Sequence, residues 1–150
     1  MNEIEIQTVV KCEELPSADQ LQRWVDAALA DYPTDTELVI RIVDKEESSQ
    51  LNEQYRHKQG PTNILSFPFE VPEGVPLNLL GDLVICAPVV AEEARAQNKP
   101  LENHWAHIVV HGILHLLGYD HIDEVDAEEM ENKEITILAQ LNISNPYNEA

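Results

Sequence analysis

Basic residues are scarce in this chain. Nine Lys and Arg stand against 28 Asp and Glu, a formal net charge of −19 over 150 residues. Broad polyanion binding depends on many Lys and Arg neutralising phosphates, so this balance argues against promiscuous polyanion binding and leaves room for one local positive pocket. The bases are scattered apart from one cluster, Arg56, His57 and Lys58 in "YRHK". Cysteine is equally scarce: Cys12 and Cys86 lie far apart in no CxxC pattern, which argues against a disulfide framework or a thiolate metal site and for free thiols in a reducing compartment. Apolar runs as long as a membrane span, about 20 residues, are missing. The opening "MNEIEIQ" carries acids where a secretory signal carries bases. The expectation is a cytoplasmic protein with no membrane partner. Its 43% hydrophobic content is too high for a disordered chain and suits one globular domain spanning residues 1–150.

The hydrophobic patterning alternates between two periods. "EIEIQTVV" has the two-residue alternation of a strand. "LPSADQLQRWVDAALADY" opens with a capping box from Ser17 to Gln20 and continues with Leu21, Trp24, Val25, Ala28 and Leu29 at helical spacing. "TELVIRIVD" is apolar on both parities and predicts a strand covered on both sides. "KEESSQLNEQYR" predicts a short helix that delivers Arg56 near its end. Prolines 61, 68, 72 and 76 confine the next strand to "TNILSF", at an edge or ending in a loop. "LLGDLVICAP" predicts a further strand, followed by a helix with Pro88 in its first turn. "LENHWAHIVVHGILHLLG" is the longest apolar helix pattern, stopping at Gly118, and "DEVDAEEMENKE" reads as the solvated face of a last helix. With no repeat, low-complexity tract or long linker, the expected fold is α+β, a small mixed sheet covered by helices and ending in a zincin-like histidine-bearing helix.

Five of the six histidines fall between residues 104 and 121. Residues four apart on a helix differ by roughly 40° and about 6 Å of rise, so His111 and His115 can converge on one ion. On a continued helix, His121 would stand about 15 Å along from His111, far beyond zinc–nitrogen bonds of about 2.0–2.1 Å. The chain must therefore turn after His115, and Gly118 is the residue suited to the left-handed conformation that ends a helix. Three neutral imidazoles with an open fourth position describe a catalytic rather than a closed structural zinc site. The competing pair, His107 with His111, lacks a returning third ligand and reads as support or core, and His104 reads as a helix-surface residue. Asp120 is weighed both as a carboxylate orienting a ligand imidazole and as a turn former.

The same intervals occur in the metzincin peptidase pattern H-E-x-x-H-x-x-G-x-x-H, but Gly112 stands where the peptidases carry the glutamate that moves the proton. The peptidase reading thus loses its general base. A zinc hydrolase could still use the metal's own acidification of water, given a substrate whose developing charge is stabilised by another group.

"HGILHLLGYDH", preceded by "LNEQYRHKQGPTNILSFPFE" and "LLGDLVIC", resembles the bacterial YbeY proteins, metal-dependent endoribonucleases of rRNA maturation. The resemblance runs in order from "RIVDKEES" to the acidic C-terminal helix, with one departure: the family commonly reads P-T-D where this chain has Pro61, Thr62 and Asn63. It implies His111, His115 and His121 as ligands of one zinc ion and Arg56 as the residue that meets the RNA; Lys58, in the same cluster, is weighed both as a further phosphate contact and as a solvated surface charge. It also implies single-stranded RNA as substrate, maturation of small-subunit rRNA, and work with the ribosome or ribosomal proteins rather than with DNA. Arg56 suits the role because a guanidinium is permanently charged and presents a planar fork to phosphate oxygens; the competing reading is a surface salt bridge. Two other classes stay open on sequence grounds: a metallopeptidase with a relocated base, and a non-catalytic ribosome-assembly factor whose metal holds the last helices together.

Overall fold

The computed structural model describes residues 2–10, 14–32, 35–69, 79–119 and 124–147. Strands β1 (Glu3–Thr8), β2 (Glu37–Val43), β3 (Ile64–Pro68) and β4 (Leu79–Cys86) form one mixed sheet in the order β1-β2-β4-β3. The first three neighbours in that order run parallel, and β3 pairs antiparallel with β4 at the edge its prolines require. Helices α1 (Ala18–Ala28), α2 (Lys45–Arg56), α3 (Ala87–Ala96), α4 (Leu101–Leu116) and α5 (Glu124–Gln140) complete an α+β fold of the expected class.

Local signals start the first two helices. Ser17 Oγ accepts from Gln20 N at 3.1 Å while Ser17 N donates to Gln20 Oε1 at 2.8 Å, the reciprocal box expected at the start of α1. Asp44 caps α2 through Glu47 N at 2.9 Å, and the helix ends at His57 in the left-handed conformation, φ 57°.

Side chains alternate between the two faces of the sheet. Leu38, Ile40, Ile42, Leu83 and Ile85 join Leu21, Trp24, Trp105, Val109, Ile113, Met130 and Leu138 from α1, α4 and α5 in the main core. Val43, Leu65, Val84 and Cys86 turn the other way and meet Leu51 of α2 and Val89 of α3. β2 is therefore covered on both sides only at its C-terminal end. Along the rest, Leu38, Ile40 and Ile42 are buried while Val39 and Arg41 stay partly exposed, because α2 shields only one end of that face. Arg41 stems the exposure with a two-pronged ion pair to Glu47 at 2.5 and 3.1 Å.

The β2–β4 register slips once: Glu37 pairs with Leu79 but Leu38 pairs with Gly81, leaving Leu80 as a bulge residue. Gly81 has φ +150°, and a Cβ there would lie 2.4 Å from the Phe67 carbonyl oxygen and 2.9 Å from Leu116 Cδ2. The oxygen belongs to the paired strand and cannot swing aside. Gly81→Ala is expected to destabilise the fold by roughly 2–3 kcal/mol. A urea titration should show a lower midpoint at unchanged slope, and a wild-type midpoint would mean that the bulge can be redrawn.

Candidate metal centre

α4 carries the centre, and it lies unusually close to the sheet. A Cβ on Gly112 would meet Ile64 Cδ1 at 2.4 Å and Leu83 Cδ2 at 2.9 Å, so only glycine lets the helix settle against β3 and β4. Ser66 Oγ of β3 donates to Gly112 O at 3.2 Å and fixes the same contact. The helix stops where the sequence demands it. Gly118 has φ +99°, Gly118 N donates to His115 O at 3.0 Å, and Tyr119 N donates to Leu114 O at 3.0 Å. This pair of bonds is a Schellman motif, which turns the chain away from the helix axis. Asp120 and His121, singled out in the sequence, lie outside the described residues.

His111 and His115 stand one turn apart with their Nε2 atoms 3.2 Å from each other. Two imidazole nitrogens bound tetrahedrally to one zinc would be about 3.3 Å apart, from bond lengths near 2.05 Å. The spacing therefore fits two ligands of a single ion. Both rings line a cleft of about 590 Å³ together with Arg56, Thr62, Asn63 and Ser66. Arg56, the last residue of α2, is exposed, and among the described residues it forms no salt bridge. Lys58 is exposed on the turn beyond α2 and is not among the side chains lining the cleft.

Behind the cleft, His111 Nδ1 meets Glu134 Oε1 of α5 at 2.5 Å. Glu134 is fully buried, so the acidic stretch expected to be a solvated face holds one carboxylate that is not solvated at all. Its position has a readable signal: Met130, Glu134, Ile137 and Leu138 share the helical spacing of the buried stripe, and the glutamate is the polar member of it. Burial alone would raise the Glu134 carboxyl, but hydrogen bonds from His107, His111 and Tyr147 outweigh it and hold the group down at about 2. The carboxylate thus accepts the Nδ1–H of His111 and leaves Nε2 as the nitrogen with a lone pair for a metal.

Glu134 also removes the reason for ranking the His107–His111 pair second. Ligand atoms of His107, His111 and Glu134 all lie within 4.8 Å of one another, a group that could itself hold a metal ion. His104 is a second correction. It is buried rather than on the surface, because α3 packs over it and its Nε2 meets Glu93 Oε1 at 2.9 Å. Asn63 joins this network by donating Nδ2 to both oxygens of Glu93 at 3.2 and 3.3 Å. Burial pushes Glu93 up, and the bonds from His104 and Asn63 bring it below the usual carboxylate range. An aspartate at position 63 would instead set two carboxylates against each other.

Among the described residues no helix is long and apolar enough to cross a membrane. Residues 4–142 match the sequence profile of the family described as Endoribonuclease YbeY. A protein named endoribonuclease YbeY from Colwellia psychrerythraea is 57% identical over 148 residues, covering 96% of each chain. The protein of the same name from Methylococcus capsulatus is 62% identical over 135 residues, 90% of this chain and 89% of that one. Among solved structures, TM1509 from Thermotoga maritima, determined in solution, is 26% identical with a TM-score of 0.59, covering 97% of this chain and 99% of that one.

Proposed function

The chain belongs to the YbeY family of endoribonucleases, and on that premise we propose that it cleaves single-stranded RNA at one zinc ion held by His111, His115 and His121. The observation that carries this reading is the 3.2 Å separation of the two Nε2 atoms inside the cleft that Arg56 also lines. The turn at Gly118 supports a third ligand returning from beyond the helix. Bound there, the ion supplies Lewis acidity toward a phosphate oxygen. The chain's own groups do the rest. Glu134 holds the His111 imidazole in one tautomer and one orientation. Arg56 neutralises charge that develops on the phosphate in the transition state, and among the described residues no acid pairs with it. Lys58, outside the cleft lining, contributes to RNA affinity through the phosphate backbone.

The natural substrate in this reading is small-subunit rRNA in the cytoplasm, approached on the ribosome or with a ribosomal protein. A chain at −19 binds free RNA weakly, so delivery by a partner complements the single positive cleft. A second reading deserves a test because a specific cluster favours it: the metal sits on His107, His111 and Glu134 and braces α4 against α5. Against it, Glu134 is sealed from solvent and so leaves no open position for a substrate.

Elemental analysis and RNA cleavage on wild type, His115→Ala and His107→Ala separate the two. About one zinc per chain is expected in the wild type. Loss of both metal and cleavage in His115→Ala, with metal kept in His107→Ala, supports the catalytic site. The reverse metal pattern moves the ion to the braced cluster. Metal lost as expected in His115→Ala, with no metal-dependent cleavage by the wild type, would make the protein an assembly factor.

A further inference from the structure

Beyond the cleft, the chain's C-terminal segment reaches back to the buried side of the metal centre. Asn145, Pro146 and Tyr147 form a turn in which Asn145 Oδ1 accepts from Tyr147 N at 2.8 Å. Lys99, at the foot of α4, ties that turn down by donating Nζ to Pro146 O at 2.7 Å. The turn aims the Tyr147 hydroxyl at Glu134 Oε2, to which it donates. The same hydroxyl oxygen lies 3.3 Å from His107 Nε2, and the two rings meet edge to face at 5.4 Å.

Donors and acceptors in this group leave one consistent arrangement. A carboxylate only accepts, so the Tyr147 proton goes to Glu134 Oε2 and the His111 Nδ1–H goes to Glu134 Oε1. His107 Nε2–H is then shared between the Tyr147 oxygen at 3.3 Å and Glu134 Oε1 at 3.5 Å. Without the hydroxyl, Oε2 would be buried with no donor, and the nearest replacement is His107, already 3.5 Å from Oε1. Turning the carboxylate toward His107 would pull it off the His111 ring.

We propose that Tyr147 is a positioning residue for the metal centre: through Glu134 it fixes the orientation of the His111 imidazole, so the C-terminal segment sets how tightly the ion is held. The inference rests on the reading that His111 and His115 bind the metal. It predicts that Tyr147→Phe weakens zinc binding about 10- to 100-fold, the range that partners of ligand imidazoles command. Lys99→Ala, which frees the turn without touching the centre, should move affinity in the same direction.

The test is competition for zinc against a coloured chelator, on wild type, Tyr147→Phe, Glu134→Gln, the double variant and His115→Ala. If Tyr147 acts through Glu134, the double variant should bind zinc about as weakly as Glu134→Gln alone, since a pair acting in series is not additive. A merely structural tyrosine would instead give additive losses, and that result overturns the proposal. So does wild-type affinity in Tyr147→Phe while His115→Ala has lost binding. If His115→Ala binds zinc as the wild type does, the reading of the metal site fails, and the role of Tyr147 falls with it.

Discussion

Arg56→Ala is expected to slow cleavage of single-stranded RNA by about 10²–10³-fold, with zinc content and unfolding midpoint at wild-type values. The separation of activity from stability follows from where the residue sits. Arg56 ends α2 and is exposed, so its removal opens no cavity. Among the described residues it has no salt-bridge partner, so its removal strands no buried charge. What it does have is a position in the same cleft as His111 and His115. Arg56→Lys should recover only part of the rate, because an ammonium offers a point charge where the guanidinium offers a planar fork. Lys58→Ala should instead weaken RNA binding modestly and flatten its salt dependence, with the rate at saturation kept. Single-turnover cleavage at several salt concentrations reads all three. Full activity in Arg56→Ala would remove the arginine from the reaction and leave charge neutralisation to the metal alone.

Gly112→Glu would complete the peptidase pattern around His111 and His115, and it is expected to unfold the protein rather than to create a peptidase. The new Cβ would fall 2.4 Å from Ile64 Cδ1 and 2.9 Å from Leu83 Cδ2, both buried in the core. Overpacking of that kind costs about 1–3 kcal/mol, and a carboxylate buried there without a partner adds a desolvation cost of several more. Such a total rivals the whole stability of an ordinary domain, about 5–15 kcal/mol. Gly112→Ala, with the same first atom and no charge, should stay folded at a lower midpoint. Thermal melting followed by far-UV circular dichroism distinguishes the pair. A folded, zinc-loaded Gly112→Glu protein would show that α4 can lift from the sheet, and the peptidase class would return to consideration. As the fold stands, the missing glutamate is a packing requirement: this helix presents position 112 to the sheet instead of to a metal.

The glycine also shows how far a sequence can be read. From the motif alone, Gly112 was an absence, the loss of a general base. Only the approach of α4 to β3 and β4 makes it a contact. Gly118 was fully legible, because ending a helix is a local matter settled by one residue's φ. The Ser17–Gln20 box, the edge position of β3 and the pairing of His111 with His115 were legible for the same reason. Each depends on residues within a few positions of one another, where helix and strand geometry fix the distances. β2 was read too generously, since its apolar residues on both parities say nothing of how far α2 extends over the outer face.

The remaining parts of the site needed contacts between distant segments. Glu134 was counted among the acids of a solvated helix, yet its spacing with Met130, Ile137 and Leu138 marks it as inward-facing. Its partner across 23 positions, His111, is visible only once α4 and α5 pack. His104 was assigned to the surface because the helix pattern could not show α3 closing over it with Glu93. Tyr147 carried no signal at all, being one aromatic residue in a polar tail. The sequence by itself determined the class of fold and the pair of imidazoles one helical turn apart, carried by local periodicity and spacing, and the family, carried by the resemblance of whole sequence blocks. Tertiary structure alone decided which carboxylate holds His111, which residue restrains that carboxylate, and that Arg56 shares the histidines' cleft. Those are meetings of side chains from separate elements, and no spacing along the chain encodes them.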